Sequence, residues 1–285
     1  MAALHCELMN TEKILLQTAH RPWPLPPGPW VMTQSWCDLL FAHWPIDPAL
    51  LRPLIPAGIE LDTFDGKAWI GVVPFRMENV TPRGVPAMPW ISAFPELNVR
   101  TYVSDGSKPG VWFFSLDCSN PVAVRVARAG FHLPYYDARM ALQRTGDWVR
   151  YSSHRTHSNA HPADLRALYR PRGRAYLARS GSLEHWLTER YCLYANGGGR
   201  LWRGEIQHLP WPLQRAEADF ELNTMALPIG LRPAGVPLLH FVRRIDVLVW
   251  PLAALDAHQS LSEHMDSGSR IRKQDPLPGS LMSSS

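Results

Sequence analysis

Lysine is scarce in this chain of 285 residues: Lys13, Lys67, Lys108 and Lys273 are the only four among 29 basic side chains. Amine catalysis needs a lysine whose pKa is lowered by desolvation or by a neighbouring cation. Lys13 falls in an N-terminal leader and Lys273 in a C-terminal tail. Lys67 and Lys108 fall in the turn sequences FDGKAW and DGSKPG. All four are expected to be solvated, which excludes Schiff-base chemistry. Cysteine is equally rare. Cys6, Cys37, Cys118 and Cys192 are widely spaced and form no CxxC pair, and the first 30 residues contain no secretory apolar core. Free thiols in a reducing cytoplasm are therefore expected. No long hydrophobic run exists, because the strongest, 247–255, is interrupted by Pro251 and is too short to span a bilayer. A net charge of +4, thinly spread, argues against nucleic acid as the main partner. HExxH and G-x-S-x-G are missing, and the glycines at 197–199 lack the Lys-Ser/Thr ending of a phosphate loop.

What is present is 46% hydrophobic sequence with 12 tryptophans, 27 prolines and 19 glycines. That mixture suits short strands joined by many turns. Residues 1–29 read as a partly ordered leader ending in RPWPLPPGP, 30–255 as one domain, and the serine-rich 256–285 as a disordered tail. Strands are predicted over 36–44, 68–77, 97–103, 111–118, 138–143, 148–153, 201–208 and 238–252. Helices are predicted over 48–55, from Asn120 to Gly130 and from Ser182. The second is expected to bury Val122, Ala123, Val126 and Ala127, the third Leu183, Trp186 and Leu187. The class is α+β, mostly antiparallel β, built around a barrel or sandwich.

The stretch ELNVRTYV is the most informative. Side chains alternate across a strand, so Glu96, Asn98, Arg100 and Tyr102 share one face. A carboxylate, an amide, a guanidinium and a phenol in one row suit either a polar cavity wall or a solvated edge. Asp117 is expected to cap the helix that follows it. The segment 154–182, with His154, His157 and His161 and six arginines, is expected to be a basic surface loop. It could guide an anion toward a cleft, and no metal is expected at its histidines.

Several phrases occur in order: HWPIDPALLRPLIPAGIELDTFDGKAWIGVVPFRM, FPELNVRTYV, PGVWFFSLD, ARAGFHLPYYDARM, LTERYCLY and HLPWPLQRAEA. In these the chain resembles the YqjF-like family of the acetoacetate decarboxylase-like superfamily. The resemblance implies a cone-shaped, mostly antiparallel β-barrel around a small-molecule cavity. In the decarboxylases a lysine pair forms a Schiff base with a keto acid, close to a glutamate on an earlier strand. By motif, Glu96 matches that glutamate, while Tyr135 and Tyr136 stand at the place of the lysine pair. The resemblance therefore implies an inherited fold and cavity without the decarboxylase mechanism.

Three readings follow. The first is a lysine-independent enzyme acting on a small carboxylate or carbonyl compound. Glu96, Tyr135 and Tyr136 would be its catalytic groups, and Asn98, Arg100 and Tyr102 would hold the substrate. The second is a non-catalytic binding or sensing module that uses the same cavity. The third is a structural or interaction protein whose polar row lies in water. No cofactor is expected; the expected partner is a small molecule, with an anion among the options, and a second copy of the chain is left open.

Overall fold

In the computed structural model, residues 11–85 and 92–255 are described. The expected tail, 256–285, lies outside them, as do Cys6 and Lys273. Twelve strands carry the fold: β1 (Met32–Ile46), β2 (Glu60–Leu61), β3 (Ala68–Pro82), β4 (Phe94–Ser104), β5 (Pro109–Cys118), β6 (Tyr135–Thr145), β7 (Trp148–Arg155), β8 (Asp164–Tyr176), β9 (Cys192–Gly197), β10 (Arg200–His208), β11 (Leu213–Asn223) and β12 (Leu238–Ala254). They form one sheet in the order β10-β9-β5-β6-β7-β8-β11-β12-β1-β3-β4-β2, and further pairings of β5 with β4 and β10 with β12 close it on itself. β5 runs parallel to β6 and β9, and the other pairs are antiparallel.

The curved central strands bury both faces, as the doubly apolar run at 68–77 predicts. Leu40, Ala42, Ile70, Val72, Leu97 and Val99 pack with Tyr151, Tyr169 and Phe241 on one side. Leu39, Phe41, Val73, Phe75 and Met77 face the other, where they meet Leu116, Tyr135 and Trp211. The candidate site sits on this second side.

Several expectations are corrected. The basic loop contains strand β8, in which Leu165, Ala167 and Tyr169 point inward and Arg166 points out. Two of its histidines pair with carboxylates, His154 with Asp164 at 2.7 Å and His157 with Asp137 at 2.9 Å. The helix Pro121–Phe131 is capped by Asn120, whose Oδ1 accepts from the amides of Val122 and Ala123. Its fully buried residue is Val124, whereas Val122 and Val126 are 45% and 60% exposed. The helix meets the sheet one position further round than the spacing suggested. Asp117 caps nothing: it is fully buried, and Arg155 grips it through Nε at 3.1 Å and Nη2 at 2.6 Å. The first helix, Pro48–Leu51, passes at once into a 3-10 turn, Arg52–Leu54. The third is Leu183–Thr188, capped by Ser182, and only Leu187 and Thr188 in it are buried. Lys108 is not solvated, because its ammonium lies 2.6 Å from Glu205 with only 23% of the side chain exposed.

Residues 11–16 of the leader are helical, and Ile14 packs on Leu248 and Trp250. Among the described residues, no helix is long and apolar enough to cross a membrane.

Candidate functional site

A cavity of about 340 Å³ lies on the inner side of β4. Glu96, Asn98 and Arg100 line it in a row, two residues apart, as the period of a strand requires. The rest of the lining is largely apolar, with Val73 and Phe75 of β3 and Phe113 and Leu116 of β5 flanking the row, and Leu39 and Trp211 beyond them. Tyr135, at the start of β6, completes the polar row because β5 pairs in parallel with β6 and sets Tyr135 beside Leu116.

Glu96 is 2% exposed. The Tyr135 hydroxyl donates to its Oε2 at 3.0 Å, and Asn98 supplies a second side-chain hydrogen bond. Burial pushes the carboxyl up to about 8, against the opposing pull of those two hydrogen bonds. At neutral pH the group is a carboxylic acid holding its proton. Tyr135 stays a phenol, since burial and the neighbouring Glu96 raise its pKa well above the ordinary value.

Arg100 sets the opposite electrostatic character. It is 8% exposed and forms no ion pair among the described residues. Its Nη2 donates to the Tyr102 hydroxyl and to the Leu187 carbonyl, each at 3.3 Å, and its Nε has no partner. A desolvated guanidinium without a counter-ion is costly. Arg190, which the sequence reading did not single out, lines the same cavity. Its Nη1 binds Asp62 at 2.7 Å, and its Nη2 is buried and unpartnered. Its one sequence signal was its place in LTERYCLY.

Two expected site residues lie elsewhere. Tyr102 is buried behind the cavity wall, with its hydroxyl 2.6 Å from Nε2 of His43. Burial and the nearby Arg100 hold His43 well below its ordinary pKa, so the imidazole is neutral. A methyl on Gly71 would reach 3.0 Å from the His43 ring and 3.4 Å from Arg100, so the two side chains pack closely over this glycine. Tyr136 faces away from Glu96 into a separate cleft of about 480 Å³ with Arg128 and His132, and Arg155 stacks on its ring at 4.3 Å. Adjacent residues of a strand point to opposite faces, so Tyr135 and Tyr136 cannot both serve one site. No lysine is among the lining residues of either hollow.

Comparison with solved structures defines the class of fold. The chain is similar to acetoacetate decarboxylase of Legionella pneumophila, with TM-score 0.55 and 14% identity, covering 87% of this chain and 95% of that one. It is also similar to the enduracididine biosynthesis enzyme MppR in complex with the condensation product of pyruvate and imidazole 4-carboxaldehyde. There the TM-score is 0.57 with 10% identity, covering 82% of this chain and 92% of the other. The fold is acetoacetate decarboxylase-like. Within it, the chain belongs to the DUF2071 family of uncharacterized conserved proteins, whose model matches residues 33–246. The uncharacterized protein YqjF of Bacillus subtilis is 47% identical over 229 residues, covering 80% of this chain and 94% of YqjF.

Proposed function

We propose that the closed sheet is a cone-shaped β-barrel serving as a binding chamber for a small carboxylate-bearing carbonyl compound, and that the protein acts on this compound without a lysine. The observation that carries the reading is the buried, uncompensated guanidinium of Arg100 in the same wall as the protonated carboxyl of Glu96. The first calls for an anion from the ligand, the second offers a proton to it. MppR, of the same fold, has also been solved with pyruvate, which fits an oxo acid as the type of ligand. The three buried free thiols fit a reducing cytoplasm.

In the chemistry proposed, the Glu96 proton passes to the carbonyl oxygen of the bound compound. Tyr135 and Asn98 stabilise the carboxylate left behind. Water removes a proton from the carbon next to the carbonyl, giving the enol, and reversal returns both protons. The net result is exchange of that C–H with solvent. Proton nuclear magnetic resonance in D₂O with a panel of oxo acids tests this. Loss of the C–H signal is expected with the wild type and not with Glu96→Gln. Undiminished exchange by Glu96→Gln would overturn the assignment, as would a lysine adduct trapped by borohydride. Tight ligand retention with no exchange by the wild type would favour the non-catalytic binding module.

A further inference from the structure

The cavity has a direction, and the direction selects a ligand. In the β3–β4 ladder Gly71 pairs with Arg100, Val73 with Asn98, Phe75 with Glu96 and Met77 with Phe94. Beyond that point β3 continues to Pro82, which is opposite Met32, and both border the cavity. At about 3.3 Å per residue, the Cα atoms of Arg100 and Glu96 are roughly 13 Å apart. The Arg100 guanidinium turns to Tyr102 and Leu187, away from the Glu96 end of the strand. A carboxylate held by Arg100 therefore does not lie beside Glu96.

Arg190 belongs to the Arg100 end. The two guanidiniums lie 5.6 Å and 5.0 Å from the centre of the same Tyr102 ring, and each has one buried nitrogen without a partner. Arg190 is also stacked on Trp186 at 4.4 Å, which fixes its plane. Asp62 neutralises one of the two cations, leaving one positive charge for a ligand. The far end is apolar apart from Gln34, whose amide oxygen accepts from the Trp36 indole, and the exposed Val122 and Val126 border it.

We propose that the ligand is an extended amphipathic monocarboxylate. Its carboxylate is held between Arg100 and Arg190, and an apolar chain or ring runs past Glu96 toward the helix Pro121–Phe131. Any carbonyl that meets Glu96 is then several bonds away from the carboxylate. A two- or three-carbon acid reaches only one of the two groups. This assignment rests on the anion-binding role given to Arg100 above.

Calorimetric titration of the full chain with acetate, butanoate, hexanoate, octanoate and octanol tests it. From butanoate to octanoate, affinity should rise about 3- to 4-fold per methylene, the increment for burying a CH₂. Octanoate should bind at least ~10-fold more tightly than octanol, the scale of a charge-assisted contact. Arg190→Gln, or Arg190→Lys if the first variant folds poorly, should weaken octanoate about 10-fold while leaving octanol unchanged. A flat chain-length series in which acetate still needs Arg100 would overturn the extended ligand and leave the proposed function standing. If Arg100→Gln left every carboxylate titration unaltered, both would fall. If only the Arg190 variants behaved like wild type, the two-arginine clamp would fall.

Discussion

Glu96 holds a proton that bulk water would remove, and this makes stability depend on pH in a predictable direction. An unfolded glutamate ionises near 4.5, whereas the folded one ionises near 8. Between these values the native state binds a proton that the unfolded chain has released, so raising the pH favours unfolding. The contribution is whole below pH 4.5 and is lost as pH rises through about 8. At ~1.4 kcal/mol per unit, the full window amounts to roughly 5 kcal/mol. Glu96→Gln lacks this dependence, so thermal melts from pH 5 to 9 should show the variant gaining on the wild type as pH rises. A constant difference would show that Glu96 ionises normally. Arg100 supplies the complementary case. Its charge is buried without an ion pair among the described residues, so Arg100→Met should stabilise the empty protein by about 1–3 kcal/mol while abolishing the proposed anion binding. Calorimetry that found the variant less stable would point to a counter-charge for Arg100 within the protein.

At the scale of elements, the ion pair between Asp117 on β5 and Arg155 on β7 ties together two strands separated by β6. Both side chains are at most 3% exposed. Removing one partner strands a charge in the interior, so Asp117→Asn should cost about 3–5 kcal/mol. The double change Asp117→Leu with Arg155→Met should recover most of that loss in urea titrations. The same region shows what local sequence can and cannot convey. β6 and β7 were legible because Gly146 marks a turn between two strand-like runs. β8 was not, since its arginines outweigh the alternation of Leu165, Ala167 and Tyr169. The strand period alone placed Glu96, Asn98 and Arg100 together, and β4 keeps that row. Arg190 escaped notice because its partner Asp62 lies 128 residues away and no regular element holds it. Asp117 misled because carboxylates before helices usually cap them, while here Asn120 stands nearer the first turn.

For the domain as a whole, residues 11–29 of the leader are part of the packed structure. Ile14 covers Leu248 and Trp250, the Trp250 indole donates to the Gly28 carbonyl at 3.1 Å, and Gln207 donates to the carbonyls of Ile14 and Gln17. Arg21, 8% exposed, forms the central link, with Nη2 at 2.9 Å from Glu205 Oε2 and its guanidinium over the ring of Tyr191. Tyr191 adjoins Arg190, so the leader braces the Arg100–Arg190 end of the cavity. Glu205 also receives Lys108, and its loss would leave Arg21 buried without a carboxylate. Glu205→Gln is therefore expected to cost about 3 kcal/mol or more. At 2–4 °C per kcal/mol for a domain of this size, Tm should fall by roughly 6–12 °C. Because the leader covers core side chains, it should unfold with the domain and not before it. Limited proteolysis across the melt should show cleavage within 11–30 appearing together with global unfolding in the wild type and in Glu205→Gln alike. Early cleavage there, with the rest of the chain intact and octanoate binding unchanged, would show that the leader is an accessory strap and that the brace behind Arg190 is not needed.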